Sequence, residues 1–465
     1  MRGARLGLAA ILACSGCAVG PNYRRPDTHP PATFRGQAAA ETASFADANW
    51  WEIYQDPVLT GLIRRALDNG FDARIAAVRV EQARAVALEA GGQYYPAVGY
   101  VGDAFRGKNT FFGSPDPEGG GATADAFAPY LSASWELDIW GRLRRLNEAA
   151  RSQYLESEEG RRAVRLTVLA NVAQDYFDLL ELDAELAIAR QATRDFGDSL
   201  RLFNERLKGG IASRLETSSA AAAQAAEAAQ VPLLERQIAL TENQIHLLLG
   251  ENPGPVARGP ALAEHRPPPE TPAGLPSALL ERRPDVREAE YAARAANAQI
   301  GATIGGFLPR FGLSALLGST SQSLSALTHT HSELWSAGLN ITGPLFQGGA
   351  LRGEYLQAKS AWRLAKLQYE QTALSAFGDV ANALVTRQKL AEAGVQLARE
   401  VQAYQDAVHV ASERYRAGEA GYYELLQAQE QLYPAESALA QNHRDELIAA
   451  VQLYKALGGG WNNPP

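Results

Sequence analysis

A chain of 465 residues, 46% apolar and 21% charged, has enough hydrophobic material for a large core and lies outside the composition range of disordered proteins. Its net charge of -8, with no cluster of Lys and Arg interleaved with aromatics, argues against a nucleic acid partner. After the amino terminus there is no run of about eighteen apolar residues, which excludes a transmembrane helix, so a membrane crossing would have to use strands.

At the amino terminus Arg2 and Arg5 precede the apolar run Leu6 to Ala13, the charged and apolar parts of a secretory signal too short to span a bilayer. We read residues 1–16 as the signal peptide and 17–49 as a lipid-anchored amino-terminal segment. Ser15-Gly16-Cys17-Ala18 is similar to a bacterial lipobox, although Cys14 stands where a leucine is usual, and Cys17 is the expected lipid acceptor. Cys14 is the rival acceptor, but its upstream Leu12 fits the small-residue preference less well. An ordinary secretory signal with an incidental cysteine is the alternative reading. These are the only two cysteines, so once Cys14 leaves with the signal no disulfide can form within the mature subunit.

From residue 50 the expected order is helix, strand, loop, strand and long helix. The clearest strand is Leu131 to Ile139, where Leu131, Ala133, Trp135, Leu137 and Ile139 share one face and Ser132, Ser134, Glu136 and Asp138 the other. Its partner, Ala97 to Val101, alternates poorly, and Gly107 to Gly121 reads as the loop between them. Residues 141–208 then form a proline-free helical stretch on the order of 100 Å long at about 1.5 Å per residue. Leu166, Leu169, Ala173, Tyr176 and Leu180 follow the three-four spacing of a coiled-coil seam, and the alanines of Ser219 to Ala226 allow close helix approach. Gly209-Gly210 turns the chain back into a second helix ending near Leu249, and residues 251–276 are a proline-rich linker.

The same order then recurs. Phe311 to Ala315 and Trp335 to Thr342 are the strands, Gly318 to Ser332 the loop and residues 350–417 the long helix, with Val401, Tyr404, Val408, Ala411 and Tyr415 on its seam. Gly418 is the turn, and the return helix ends near Leu457. Arg206 to Gly210 falls on Arg414 to Gly418, Glu216 on Glu424 and Leu249-Gly250 on Leu457-Gly458, while Asp72 falls on Asp285 and Pro96 on Pro309. We therefore read a tandem duplication, residues 50–250 and 277–460. Alternating strands of about ten residues suit a membrane barrel as well as a soluble sheet packed on a helix. Four strands cannot close a barrel in lipid, so the membrane reading forces oligomerisation.

Five motifs in order resemble the TolC-like outer-membrane efflux proteins, within them the lipoprotein branch of OprM and NodT type. They are Cys17 to Tyr23, Trp50 to Leu59, Leu279 to Arg287, Gly343 to Gly349, and the Arg-x-x-x-Gly turn of both copies. The resemblance implies a mainly α chain with a small β part. In the family, four strands per subunit build a trimeric transmembrane β-barrel, continued by a long periplasmic α-helical barrel. It implies a non-enzymatic homotrimer in the outer membrane of a Gram-negative bacterium, anchored there by lipid and extending into the periplasm. Such a duct passively conducts drugs or other solutes in a tripartite pump, with a periplasmic adaptor and an inner-membrane transporter, expected to be of the RND type, as partners. Arg206, Gly210, Arg414 and Gly418 match the tip where the adaptor docks, and Tyr423, Glu424 and Gln427 match the segment that narrows the entrance. At the local level helix capping explains most of the Arg-Gly pattern, and adaptor binding is an additional role. A periplasmic, lipid-anchored helical scaffold without a barrel is the competing architecture.

No phosphate loop, metal cluster or nucleophile elbow is legible, and no cofactor is expected. The seven histidines are scattered, with His329 and His331 read as surface residues of an external loop.

Overall fold

The computed structural model describes residues 18–37, 44–47, 55–108, 110–111, 114–115, 123–268 and 272–459. Cys14, Cys17 and residues 50–54 of the Trp50 to Leu59 motif lie outside them. In chain order the elements are α1 (Pro57–Asn69), α2 (Phe71–Gly92), β1 (Ala97–Lys108), β2 (Thr123–Leu137), α3 (Arg142–Lys208) and α4 (Arg214–Leu249). The second half follows with α5 (Pro276–Arg282), α6 (Pro284–Gly305), β3 (Arg310–Ser319), β4 (Glu333–Thr342), α7 (Ala350–Arg416) and α8 (Tyr422–Ala456). The offset of 213 carries α2 onto α6, and 208 carries the 67-residue α3 onto the 67-residue α7, so the duplication is written into element bounds. Pro232 and Pro434 fall inside α4 and α8 without ending them.

The chain divides into two compact units. One, drawn from Met1–Pro26, Val80–Ser157 and Ala289–Tyr369, holds an antiparallel sheet of order β1-β2-β3-β4. Its central pairing joins the two halves, with Trp135 opposite Leu313 and Ala133 opposite Ala315. Tyr100, Leu131, Leu317 and Trp335 form one cross-strand row, and Val98, Ala133, Ala315 and Ala337 the next. Both rows lie on the apolar face expected from the alternation. The first hairpin is longer than expected: β2 begins at Thr123 and ends at Leu137, and β1 runs to Lys108. Register against β2 holds the weakly alternating Val101 to Lys108 as strand, a tertiary effect that local pattern cannot reveal. Below the sheet, the Asp138 carboxylate accepts from the Leu143 and Arg144 amides at 3.0 and 2.9 Å and caps α3. Residues 18–26 strap onto this unit. Val19 donates to the Trp140 carbonyl at 2.9 Å, Arg145 donates to the Val19 carbonyl and the Asn22 side chain, and Arg25 pairs with Glu290 at 2.6 Å.

The second unit comprises Asp27–Arg79, Glu158–Glu288 and Glu370–Pro465. Its core contains the fully buried Tyr176, Phe177, Phe196, Phe203 and Tyr454, and the seam residues Leu166, Leu169, Ala173 and Leu180 are buried with them. Asp56 caps α1 through the Val58 and Leu59 amides at 2.7 and 3.2 Å. Its other oxygen accepts from the Tyr176 hydroxyl at 2.6 Å, which in turn accepts from the Gly259 amide at 2.9 Å. The proline-rich linker is thereby packed down, with Val256, Leu262 and His265 buried.

Candidate functional site

The two helical hairpins turn in the same way. At the end of α3, Gly210 takes φ 71° and donates to Leu207, while Ile211 donates to the Arg206 carbonyl at 2.9 Å. At the end of α7, Gly418 takes φ 76° and donates to Tyr415, while Glu419 donates to the Arg414 carbonyl at 2.9 Å. The left-handed conformation explains each glycine, and the carbonyls of the two arginines close the turns.

Beyond the turns the copies diverge. In the first, Ser213 and Glu216 form a reciprocal capping box at the start of α4. In the second, the Ser213 position is Gly421, which has no side chain to cap with. Glu424, the counterpart of Glu216, pairs with Arg414 at 3.0 Å. Both partners are about half exposed, so this pair is screened and weak on its own. Tyr423 is 75% exposed, and Gln427 lies exposed one helical turn along the same side of α8.

The stronger tie crosses between hairpins. Arg206 donates to the Tyr415 hydroxyl, and its guanidinium sits 4.7 Å from the centre of that ring. Tyr415 belongs to an aromatic cluster in which Phe203 and Tyr422 rings approach to 4.1 Å. Burial pushes the Tyr422 phenol up to about 12 and raises Tyr415, so both stay neutral at ordinary pH. Further up the hairpins the Tyr433 hydroxyl donates to Asp195 at 2.6 Å. Of the residues expected at this end, the structure brings Arg414 to Glu424, sets Gly210 and Gly418 in the turns, and leaves Tyr423 and Gln427 facing outward. Sequence reasoning placed Tyr415 only on a seam. The signal for its added role was Leu207 becoming Tyr415 in the second copy, a hydroxyl gained opposite Arg206.

Among the described residues no group of three or more His, Cys, Asp or Glu could hold a metal ion. The site offers a breakable set of ion pairs, hydrogen bonds and stacked rings at paired turns, joined in one chain to a sheet with an apolar face.

The profile of the outer membrane efflux protein family matches residues 62–251 and 275–459, and the chain belongs to that family. The probable efflux pump outer membrane protein TtgC of Pseudomonas putida is 33% identical, over 96% of this chain and 93% of that protein. The cation efflux system protein CusC of Escherichia coli is 31% identical over 98% of each. Among solved structures, the open state of the Neisseria gonorrhoeae MtrE outer membrane channel superposes with a TM-score of 0.87 at 28% identity, covering 96% of this chain and 99% of that one. The chain is an outer-membrane efflux channel protein and not an enzyme.

Proposed function

We propose that three copies of this chain close one barrel in the outer membrane and form the exit duct of a tripartite pump. Drugs or other solutes pass from an inner-membrane transporter of RND type, through a periplasmic adaptor, into the helical tunnel and out. The observation that carries this reading is the uncovered apolar face of the sheet: Tyr100 is 87% exposed, Trp335 74% and Leu317 64%. A soluble protein rarely leaves so continuous an apolar surface open to water, whereas lipid requires it. The edge strands β1 and β4 each pair on one side only in this four-stranded sheet. About eight strands is the smallest closed barrel, so neighbouring copies must supply the missing partners. The test is the mass of the detergent-purified particle. Three chains in a heat-resistant particle support the duct, and a single chain released into water when the lipid is removed supports the scaffold instead.

The lipid is carried by Cys17, and the support is local: Val19, two residues further on, is strapped to the unit that holds the sheet. Cys17→Ser will abolish palmitate labelling in cells, while Cys14→Ser will retain label; the reverse pattern would move the anchor to Cys14.

Adaptor docking is assigned to Arg206, Gly210, Arg414 and Gly418, with Ile211 and Leu215 exposed beside the first turn as apolar contacts. The entrance constriction is assigned to Tyr423, Glu424 and Gln427. Three copies of Glu424 form an acidic ring that favours cations, weaker than two rings because the second position is Gln427. Replacing Glu424 and Gln427 by alanine will therefore lower cation preference in a reconstituted channel. Unchanged conductance and selectivity would remove the assignment.

A further inference from the structure

Helix α3 belongs to the first hairpin and α8 to the second, and the seam between them buries a carboxyl group with too little positive charge to hold it ionised. The Glu181 side chain on α3 is 4% exposed. Among the described residues the cation that acts on it is Arg444 of α8, 3.4 Å from Oε2. That guanidinium is already bound by Asp445 at 2.8 and 3.0 Å and lies 3.5 Å from Asp178. One turn along α3, Glu185 accepts a 2.7 Å bond from Gln441 of α8. One arginine thus serves three carboxylates, with a fourth beside them. The linker adds no relief, because Arg258 is engaged by Asp183 at 2.8 Å and by Glu242 of α4, and His265 faces Asp56 at 3.6 Å. A buried carboxylate so poorly compensated takes up a proton instead.

We infer that Glu181 binds a proton when the seam is packed and releases it when the seam opens, so that the coupling between the two helical hairpins is set by pH. The protonated carboxyl donates to Glu185, which in turn accepts from Gln441, and this chain of bonds ties α3 to α8. Burial first, then the hydrogen bond with Glu185, pushes the Glu181 carboxyl up to about 8. Burial also raises Asp178. A carboxyl whose packed-state value lies above its free value of 4.5 favours packing most below that value. The preference then fades as pH climbs toward about 8, by at most about tenfold per pH unit for one proton. An acidic medium therefore holds the hairpins together and an alkaline one loosens them. This device lies in the helical seam and does not depend on the entrance assignment.

The test uses the full-chain channel in detergent, followed by infrared spectroscopy and amide exchange corrected for intrinsic rates, between pH about 6 and about 9. The wild type will show the stretch of a protonated carboxyl that disappears around pH 8, and exchange around Glu181 and Arg444 that accelerates over the same range. Glu181→Gln will lack the component that disappears around pH 8, leaving only the Asp175 carboxyl, which burial raises to about 6, and will keep a flat exchange profile. Glu185→Gln, which removes a neighbouring negative charge, will shift the titration to lower pH. A wild type without a titrating carboxyl, a Glu181→Gln variant that titrates like it, or an unshifted Glu185→Gln midpoint would each overturn the inference.

Discussion

Arginine in place of Leu317 will eliminate trimers from the outer membrane, while arginine in place of Ser336 will leave them in place. The two positions lie one residue apart in register, since Leu316 faces Ser336 and Leu317 faces Trp335, yet they project from opposite faces of the sheet. Leu317 belongs to the apolar row with Tyr100, Leu131 and Trp335, which lipid must solvate. An arginine on a lipid-facing strand costs about 2–4 kcal/mol near the bilayer midplane, and three copies incur it together. In the proposed barrel Ser336 faces the polar lumen, where a cation remains hydrated. Heat-resistant trimers in outer-membrane fractions report both variants. Equal loss from the two would mean that the faces are not lipid and lumen.

The double variant Arg206→Ala, Arg414→Ala will open the helical end, raising single-channel conductance and admitting large antibiotics that the outer membrane normally excludes. Most of the effect will come from Arg206. Its contact with the Tyr415 ring is worth about 0.5–2 kcal/mol and its hydrogen bond about 1 kcal/mol. The exposed Arg414–Glu424 pair contributes roughly 0.2–1 kcal/mol. Arg414→Ala alone will therefore change conductance far less than Arg206→Ala alone, and Tyr415→Phe, which keeps the ring and loses the hydroxyl, will fall between them. If Arg414→Ala had the larger effect, the cross-hairpin contact would not be what holds the turns together.

Much of this architecture could be read from residue spacing, because duplicated features constrain each other. The Arg-x-x-x-Gly turns and the Leu-Gly helix ends fixed one offset, Asp72 and Pro96 another, and both recur in the bounds of the folded elements. Alternation from Leu131 to Leu137 and from Trp335 to Ile341 placed the apolar face, since side-chain direction in a strand depends on parity alone. What spacing could not supply was pairing. The outer part of β1 alternates poorly and becomes strand only through its register with β2. The different partners of Glu216, which caps at Ser213, and of Glu424, which pairs with Arg414, become visible only in the folded turns. Glu181 reads as one more charged position on a long helix until Arg444 and Asp445, more than 260 residues away, are brought against it.

Planar-bilayer recording of the purified full-length protein tests the duct most directly. Discrete, stepwise conductance from the heat-resistant trimer, with cations preferred and the preference reduced when Glu424 is replaced by alanine, is the predicted result. A purified, folded protein that adds no conductance to the bilayer would contradict the account.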